Sequence, residues 1–324
     1  MGNGIAMDKA DIDLLMRIQY DFPLVDRPFL EIGRDLGLDE DEVIRRLRKH
    51  VESGVLRRIG SVMNYRARGL EAALVGFAVP ERLIDDVAAD INKDPMVTHN
   101  YLRDYKPYNV WFVTKAKTAE ELEAKVKAVA ERWGVDYVIL YSLRTYKLDV
   151  RFDLYEGISR SKSGILPENP PSVDELGIPR EFYSRVRSIP LVPEPFRGAA
   201  EALGKSVGEA LDVLQELIKK GVLREFHGAL DGEKLGFNEN AMVVLKRPDC
   251  EKAAALTEST HVVLRNTVPG KWDYPCYFMV HARSRELIKT RISRYFERDY
   301  DMLFSLRDLL GGKTMSKRIE SVSD

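Results

Sequence analysis

The chain repeats itself. Phe22-Pro23-Leu24-Val25-Asp26-Arg27-Pro28-Phe29 returns as Ile189-Pro190-Leu191-Val192-Pro193-Glu194-Pro195-Phe196. Gly54-Val55-Leu56-Arg57 returns as Gly221-Val222-Leu223-Arg224, and Gly69 returns as Gly236, at one constant offset. Further on, Thr98-His99 with Arg103 returns as Thr260-His261 with Arg265, and Leu140-Tyr141-Ser142-Leu143-Arg144 as Leu303-Phe304-Ser305-Leu306-Arg307. The offset drifts by only a few residues, as loop insertions and deletions produce. Ordered recurrence of this kind marks a tandem duplication. Whatever one copy folds into, the chain must build twice.

Between the copies Ser159, Ser161 and Ser163 are followed by Pro167, Pro170, Pro171 and Pro179, a composition that reads as a linker running over the surface without packing. At 324 residues the chain exceeds what a single core usually needs. No apolar run approaches the roughly 20 residues of a membrane helix. The segment Met1–Met7 lacks the charged and apolar regions of a secretory signal. Cys250 and Cys276 lie far apart and predict neither a disulfide framework nor a cysteine metal site, so a cytoplasmic location is expected. With 50 Lys+Arg against 51 Asp+Glu, the net charge of −1 argues against a protein whose main work is gripping nucleic acid.

Within copy one, Ile12, Leu14, Leu15, Ile18 and Tyr20 form an apolar stripe after Asp11, which is placed to cap that helix. Pro28 starts a second helix that Gly37 stops. Asp39-Glu40-Asp41-Glu42 opens a third, with Val43, Ile44, Leu47 and Val51 facing inward. Three such helices read as a winged helix-turn-helix, with Val55 to Tyr65 as the wing. After it, Leu74–Val79 reads as a strand, Leu83–Asn92 as a helix, Val97–Arg103 and Tyr108–Thr114 as strands, Ala119–Trp133 as a helix and Val138–Arg144 as a closing strand. The order βαββαβ predicts a ferredoxin-like domain. The expected fold class is therefore α+β, a tandem duplication of a winged helix-turn-helix domain and a ferredoxin-like domain. Expected boundaries are 1–65 and 66–156 for copy one, a linker over 157–179, and 180–232 and 233–324 for copy two.

A helix-turn-helix followed by βαββαβ resembles the Lrp/AsnC regulators. Asp21-Phe22-Pro23-Leu24-Val25-Asp26-Arg27-Pro28-Phe29, Arg57-Arg58-Ile59-Gly60, Thr98-His99-Asn100-Tyr101-Leu102-Arg103 and Tyr108-Asn109-Val110-Trp111-Phe112 sharpen the match to the siroheme decarboxylase family, Lrp-like enzymes of alternative haem and haem d1 biosynthesis. Thr260-His261, Arg265, Trp272, Tyr274 and Met279-Val280-His281-Ala282 resemble the second subunit type, so that both types are fused in one chain. Copy two departs from the family pattern where Val262 and Val263 follow His261, where Tyr274-Pro275 replaces the Tyr-Asn pair, and where Gly311 and Gly312 precede Lys313. The resemblance implies conversion of siroheme to 12,18-didecarboxysiroheme with release of two CO2. It also implies siroheme and its product as partners and no added cofactor, the iron arriving with the substrate. The two halves are expected to form an internal pseudo-dimer, with a homodimer of the whole chain left open.

Side chains two apart on a strand share a face, so His99, Tyr101 and Arg103 project together, as do His261, Val263 and Arg265. Arg holds a carboxylate through its fork of donors, and His moves a proton because its pKa lies near neutrality. His99 and His261 are the expected acid/base or carboxylate-positioning groups. Arg103 and Arg265 would clamp ring carboxylates, and Tyr101, Tyr108, Trp111, Trp272 and Tyr274 would flank the macrocycle. Lys147, with Arg151, would neutralise further carboxylates. No metal ligand set is expected. Each assignment has a plainer counterpart: a salt bridge for the arginines, ordinary core packing for the aromatics, solvation for Lys147. His50, His227 and His281 are read as structural or solvated.

The rival class is a DNA-binding regulator. Arg45, Arg46, Arg48 and Lys49 on the third helix are placed to face phosphates, but acidic Asp39–Glu42 stands where such a helix meets base edges. The equivalent Lys205–Asp212 of copy two has no basic face. A tetrapyrrole carrier that leaves its ligand unchanged is a third reading.

Overall fold

In copy one of the computed structural model, which describes residues 7–162 and 165–311, the chain forms α1 (Lys9–Tyr20), α2 (Pro28–Leu36), α3 (Glu40–Glu52) and β1 (Leu56–Gly60). Then follow β2 (Glu71–Ala78), α4 (Ile84–Ile91), β3 (His99–Arg103), β4 (Val110–Ala116), α5 (Ala119–Trp133) and β5 (Asp136–Leu148). A short hairpin, β6 (Phe152–Asp153) and β7 (Ile158–Ser159), precedes copy two. There the order recurs as α6 (Arg180–Arg187), α7 (Arg197–Leu203), α8 (Val207–Lys219), β8 (His227–Leu230), β9 (Glu239–Leu245), α9 (Cys250–Ala255), β10 (His261–Arg265), β11 (Cys276–Ala282), α10 (Arg285–Ile292) and β12 (Tyr300–Asp308). Met1–Ala6 of the N-terminal reading, Ser163 of the expected linker, and Gly312 and Lys313 lie outside the described residues. Among the described residues no helix is long and apolar enough to cross a membrane.

These elements assemble into two units, each drawing on both copies. One takes the chain up to Arg68 together with Leu148–Asn238, the other Gly69–Lys147 together with the chain from Glu239 onward. The expected domain ends at residues 156 and 179 therefore fall inside a unit. Nor does 157–179 run free of the fold: Ile158, Ser159 and Ser161 are buried, and Val173, Leu176 and Ile178 pack on the first unit's core. The apolar residues spaced between the prolines give this segment something to bury, which its overall composition conceals.

In the first unit the helix signals act largely as the sequence implies. Pro28 occupies the first turn of α2, and Gly37 closes it in the left-handed region at φ 69°. Asp39 caps α3 by accepting from the Glu42 N–H. The α1 cap is Asp8 rather than Asp11, which completes a reciprocal capping box at the third helical position. Val51 faces solvent, since α3 reaches its last turn there. The expected wing contains one strand, β1, that does not fold back on itself. It pairs antiparallel with β8, Gly60 opposite His227. Each copy also braces the other: Ser61 N–H donates to Val186 O, and Ile189 N–H to Ile59 O. Gly60 is required there, because a Cβ would lie 2.2 Å from the Arg187 carbonyl oxygen. Leu14, Leu15, Ile18 and Leu47 share one core with Phe182, Phe196, Leu214 and Leu223.

The second unit is a sheet in the order β10-β5-β2-β4-β3-β12-β9-β11, closed by pairing of β10 with β11. Each copy supplies four adjacent strands with two helices, in the element order β-α-β-β-α-β. The outer face of copy one carries α4 and α5 over Val75, Phe77, Val110 and Phe112. The inner residues of both copies meet in one cluster, described below.

Cys250 and Cys276, expected to be unbonded, form a disulfide with Cα atoms 5.6 Å apart. Their separation of 26 residues misleads, because the β9–β11 ladder sets Cys276 opposite Leu245, the residue that ends β9 shortly before α9 begins. Both sulfurs are buried. Closing a loop of this length is expected to stabilise the chain by about 3 kcal/mol through the unfolded state. Unfolding with and without reductant measures it, and an unchanged midpoint in demonstrably reduced protein would show that the bond contributes nothing.

Candidate active site

The β3–β4 register sets His99 opposite Val113 and Tyr101 opposite Trp111, so His99, Tyr101 and Arg103 share the inner face with Trp111. The β10–β11 register sets Val263 opposite Tyr277, which puts His261, Val263 and Arg265 on the inner face of copy two. The closed sheet brings the two histidines together: their ring centroids are 6.5 Å apart, with the planes at 78°. Each imidazole is held by the threonine before it, His99 Nδ1 lying 3.1 Å from Thr98 Oγ1 and His261 Nδ1 3.2 Å from Thr260 Oγ1. The repeated Thr-His dipeptide was visible in the sequence, but the threonines' part in it needed the structure.

Arg103 and Arg265 are related in the same way. Arg103 is 4% exposed and donates from Nη1 to Leu303 O at 2.7 Å and to Asn240 Oδ1 at 3.4 Å. Arg265 is 8% exposed and donates from Nη1 to Leu140 O and Ser142 Oγ, both at 2.9 Å. Leu140 and Leu303 are equivalent in the repeat, so each arginine binds the last strand of the other copy. That bond across copies is a structural duty the spacing alone did not reveal. Burial pushes the Arg103 guanidinium down to about 10, still well above neutral pH.

The expected aromatic pocket is a packed core. Trp111, Trp272, Tyr108 and Tyr274 cluster with Leu74, Leu140, Met242 and Val244, and the two indoles pack with centroids 4.8 Å apart and their planes tilted by 59°. Trp111 Nε1 donates to Tyr108 O, and Trp272 Nε1 to the Tyr277 hydroxyl. Flat faces that would flank a macrocycle are spent on one another. Burial and then Asp136 push the Tyr108 phenol up to about 12, while burial, followed by its bond to Asp301, raises Tyr274 further. Neither phenol exchanges protons near neutrality. Tyr101 stays half-buried, with Arg103 over its ring at 5.4 Å. Lys147, expected to neutralise further ring carboxylates, is buried and donates to Leu256 O at 2.8 Å and Ser259 Oγ at 3.2 Å. Arg151, its expected companion, belongs to the other unit and donates to Asp149 and to the Gln19 carbonyl. Two surface depressions, one bounded by Lys289 and Asp301 and the other by Asp85 and Arg307, contain none of the predicted site residues.

The remaining histidines are structural, as expected. His50 is buried against Asp11 at 3.2 Å. Burial and then the Arg103 charge push His281 down to about 4, and burial and then Arg151 do the same to His227. Unfolding returns both towards 6.5. The unfolded chain therefore takes up protons that the folded chain refuses, and stability present above pH 6.5 is expected to drain away as the pH falls towards 4. Denaturant midpoints measured across that window check this, and midpoints that rise on acidification would contradict it.

The basic side chains of α3 are largely engaged within the fold. Arg45 bonds Glu42 through two nitrogens, both at 2.7 Å. Arg46 bonds Glu42, Asp8 and Asp11, and Arg48 reaches the Leu191 carbonyl.

Two copies of a helix-turn-helix and a βαββαβ module, with a paired Thr-His site inside the closed sheet, define an AsnC-like ligand-binding class. The model of the AsnC-like ligand binding domain matches residues 67–147 and 234–309, and that of the siroheme decarboxylase NirDL-like HTH domain matches 11–57 and 187–224. The siroheme decarboxylase NirDL subunit of Paracoccus pantotrophus is 34% identical over 290 residues, covering 87% of each chain. The siroheme decarboxylase of Hydrogenobacter thermophilus is 32% identical over 312 residues, covering 91% of each. The chain belongs to the siroheme decarboxylase family. The crystal structure of the siroheme decarboxylase NirDL superposes with a TM-score of 0.63 at 27% identity, covering 98% of this chain and 100% of that one. The same enzyme in co-complex with an iron-uroporphyrin III analogue gives 0.61 at 28% identity, covering 97% and 100%.

Proposed function

We propose that this chain converts siroheme to 12,18-didecarboxysiroheme, releasing two CO2, as a step of alternative haem b or haem d1 biosynthesis. The observation that carries the reading is the His99–His261 pair, two imidazoles held 6.5 Å apart between centroids inside a protein of this family. In each turnover the bond between an acetate methylene and its carboxylate breaks. The electron pair enters the macrocycle, CO2 leaves, and a proton completes the methyl group. Electrons and atoms balance without a redox partner, so no cofactor is invoked beyond the iron the substrate brings. His99 and His261 supply and position the proton. Arg103 and Arg265 keep positive charge behind them and lock each copy to the other, and Tyr101 is the one aromatic among the residues first singled out that is half-buried rather than buried. The helix-turn-helix units serve as winged-helix scaffolds and the βαββαβ halves as a ferredoxin-like internal pseudo-dimer in a cytoplasmic enzyme, with a homodimer of the chain an open further step.

Anaerobic incubation of the purified chain with siroheme, followed by mass spectrometry of the tetrapyrrole, tests the reading. Stepwise loss of one and then two CO2 is expected. Tight binding without a change of mass would make the protein a carrier, and neither binding nor reaction would overturn the assignment.

A further inference from the structure

The two Thr-His pairs are not equivalent, although the repeat makes them look so. Thr98 Oγ1 has two side-chain neighbours, His99 Nδ1 at 3.1 Å and the Lys115 ammonium at 3.2 Å. An ammonium only donates, so the Thr98 oxygen accepts from Lys115. The single hydroxyl hydrogen then has His99 Nδ1 as its acceptor. The hydroxyl makes both bonds with its hydrogen used when that nitrogen is bare, which is the tautomer with the hydrogen on Nε2. At Thr260 the neighbours are His261 Nδ1 at 3.2 Å and the Met279 carbonyl at 3.3 Å. A carbonyl only accepts, so the Thr260 hydroxyl donates to Met279 and accepts from His261. Both bonds are made only if Nδ1 of His261 bears the hydrogen.

The sequence difference behind this is one residue. Thr98 N–H bonds Val113 O and Thr260 N–H bonds Met279 O, which makes Val113 and Met279 equivalent and puts Lys115 where copy two has His281. His281 is a neutral imidazole and brings no ammonium to its threonine.

We propose that His99 and His261 are held in opposite tautomers, Nε2–H at His99 and Nδ1–H at His261, and that Lys115 acting through Thr98 is the positioning residue that sets the difference. Resting on the decarboxylase reading, the consequence is a division of labour. His99 carries the hydrogen on Nε2, where it can bond a carboxylate or be delivered, while His261 carries its hydrogen on the threonine side and must take up a proton before it can deliver one.

The full chain labelled with 15N-histidine, recorded without substrate at about pH 8 so that imidazoles of ordinary pKa are neutral, reads this directly through long-range proton–nitrogen correlations. Signals are assigned by single His→Gln variants. The expected result is the Nε2–H pattern for His99 and the Nδ1–H pattern for His261. Lys115→Met and Thr98→Val should each abolish the Nε2–H pattern of His99 and leave His261 unchanged, while Lys115→Arg and Thr98→Ser restore it. The same tautomer at both histidines in the parent chain, or a His99 pattern indifferent to Lys115→Met, would overturn the proposal. Because no siroheme is present, failure of the decarboxylase reading would appear separately, as an absence of CO2 loss from the tetrapyrrole.

Discussion

Replacing either His99 or His261 by Ala is expected to lower siroheme turnover by about 10²- to 10⁴-fold, the range a positioned acid or base contributes. The fold should persist, because both rings are only half-buried and neither copy depends on them for its core. Several neighbouring groups are poorly suited to move a proton at neutral pH. Tyr108 and Tyr274 are pushed above the range in which a phenol exchanges protons at neutral pH. Arg103 remains a cation, and His281 remains neutral down to about 4. On the proposed reading the proton falls to the two paired histidines. Single-turnover mass spectrometry separates their contributions: a variant that stops after one CO2 assigns that histidine to the second acetate, and one that releases none assigns it to the first. Variants that fold and keep full turnover at both positions would sink the acid/base assignment.

Much of this arrangement was legible from residue order because the controlling interactions are local. Asp39 and Gly37 mark helix ends through their own backbone geometry, and period-two alternation places His99, Tyr101 and Arg103 on one face whatever that face meets. What faces them is decided by pairing across the duplication. Nothing local says that β1 pairs with β8, that β12 lies beside β3, or that Arg103 caps a carbonyl some 200 residues away. The same long-range pairing hid the Cys250–Cys276 bond and turned a Ser- and Pro-rich stretch into packed structure. It also reversed the reading of the aromatics. An aromatic strand residue near a candidate histidine suits a ligand wall or a core equally well, and only the facing sheet chooses between them.

That choice can be tested at Trp111, which is 1% exposed and packed against Trp272. Gly76 on β2 makes room for it, since a Cβ there would lie 2.8 Å from the indole. Trp111→Ala is expected to destabilise the closed sheet by about 3–5 kcal/mol, the cost of deleting a fully buried aromatic whose surroundings cannot collapse. Trp272 is the partner in contact, so the double Trp111→Ala, Trp272→Ala variant should lose less than the two single losses added together. Unfolding followed by the fluorescence of Trp133, the remaining indole of the three, reports the unit without monitoring the substituted positions. Trp111→Phe keeps an aromatic plane of smaller size. If the indole is core, this variant loses part of the stability and keeps turnover per folded molecule, because the reacting groups lie on β3 and β10 and need only that the sheet stays closed. If the indole instead walls the macrocycle, the order inverts: stability barely changes, and tetrapyrrole affinity falls by an amount that tracks the lost ring area. The opposed signs make the pair of measurements decisive, since no single scaling of one effect reproduces the other.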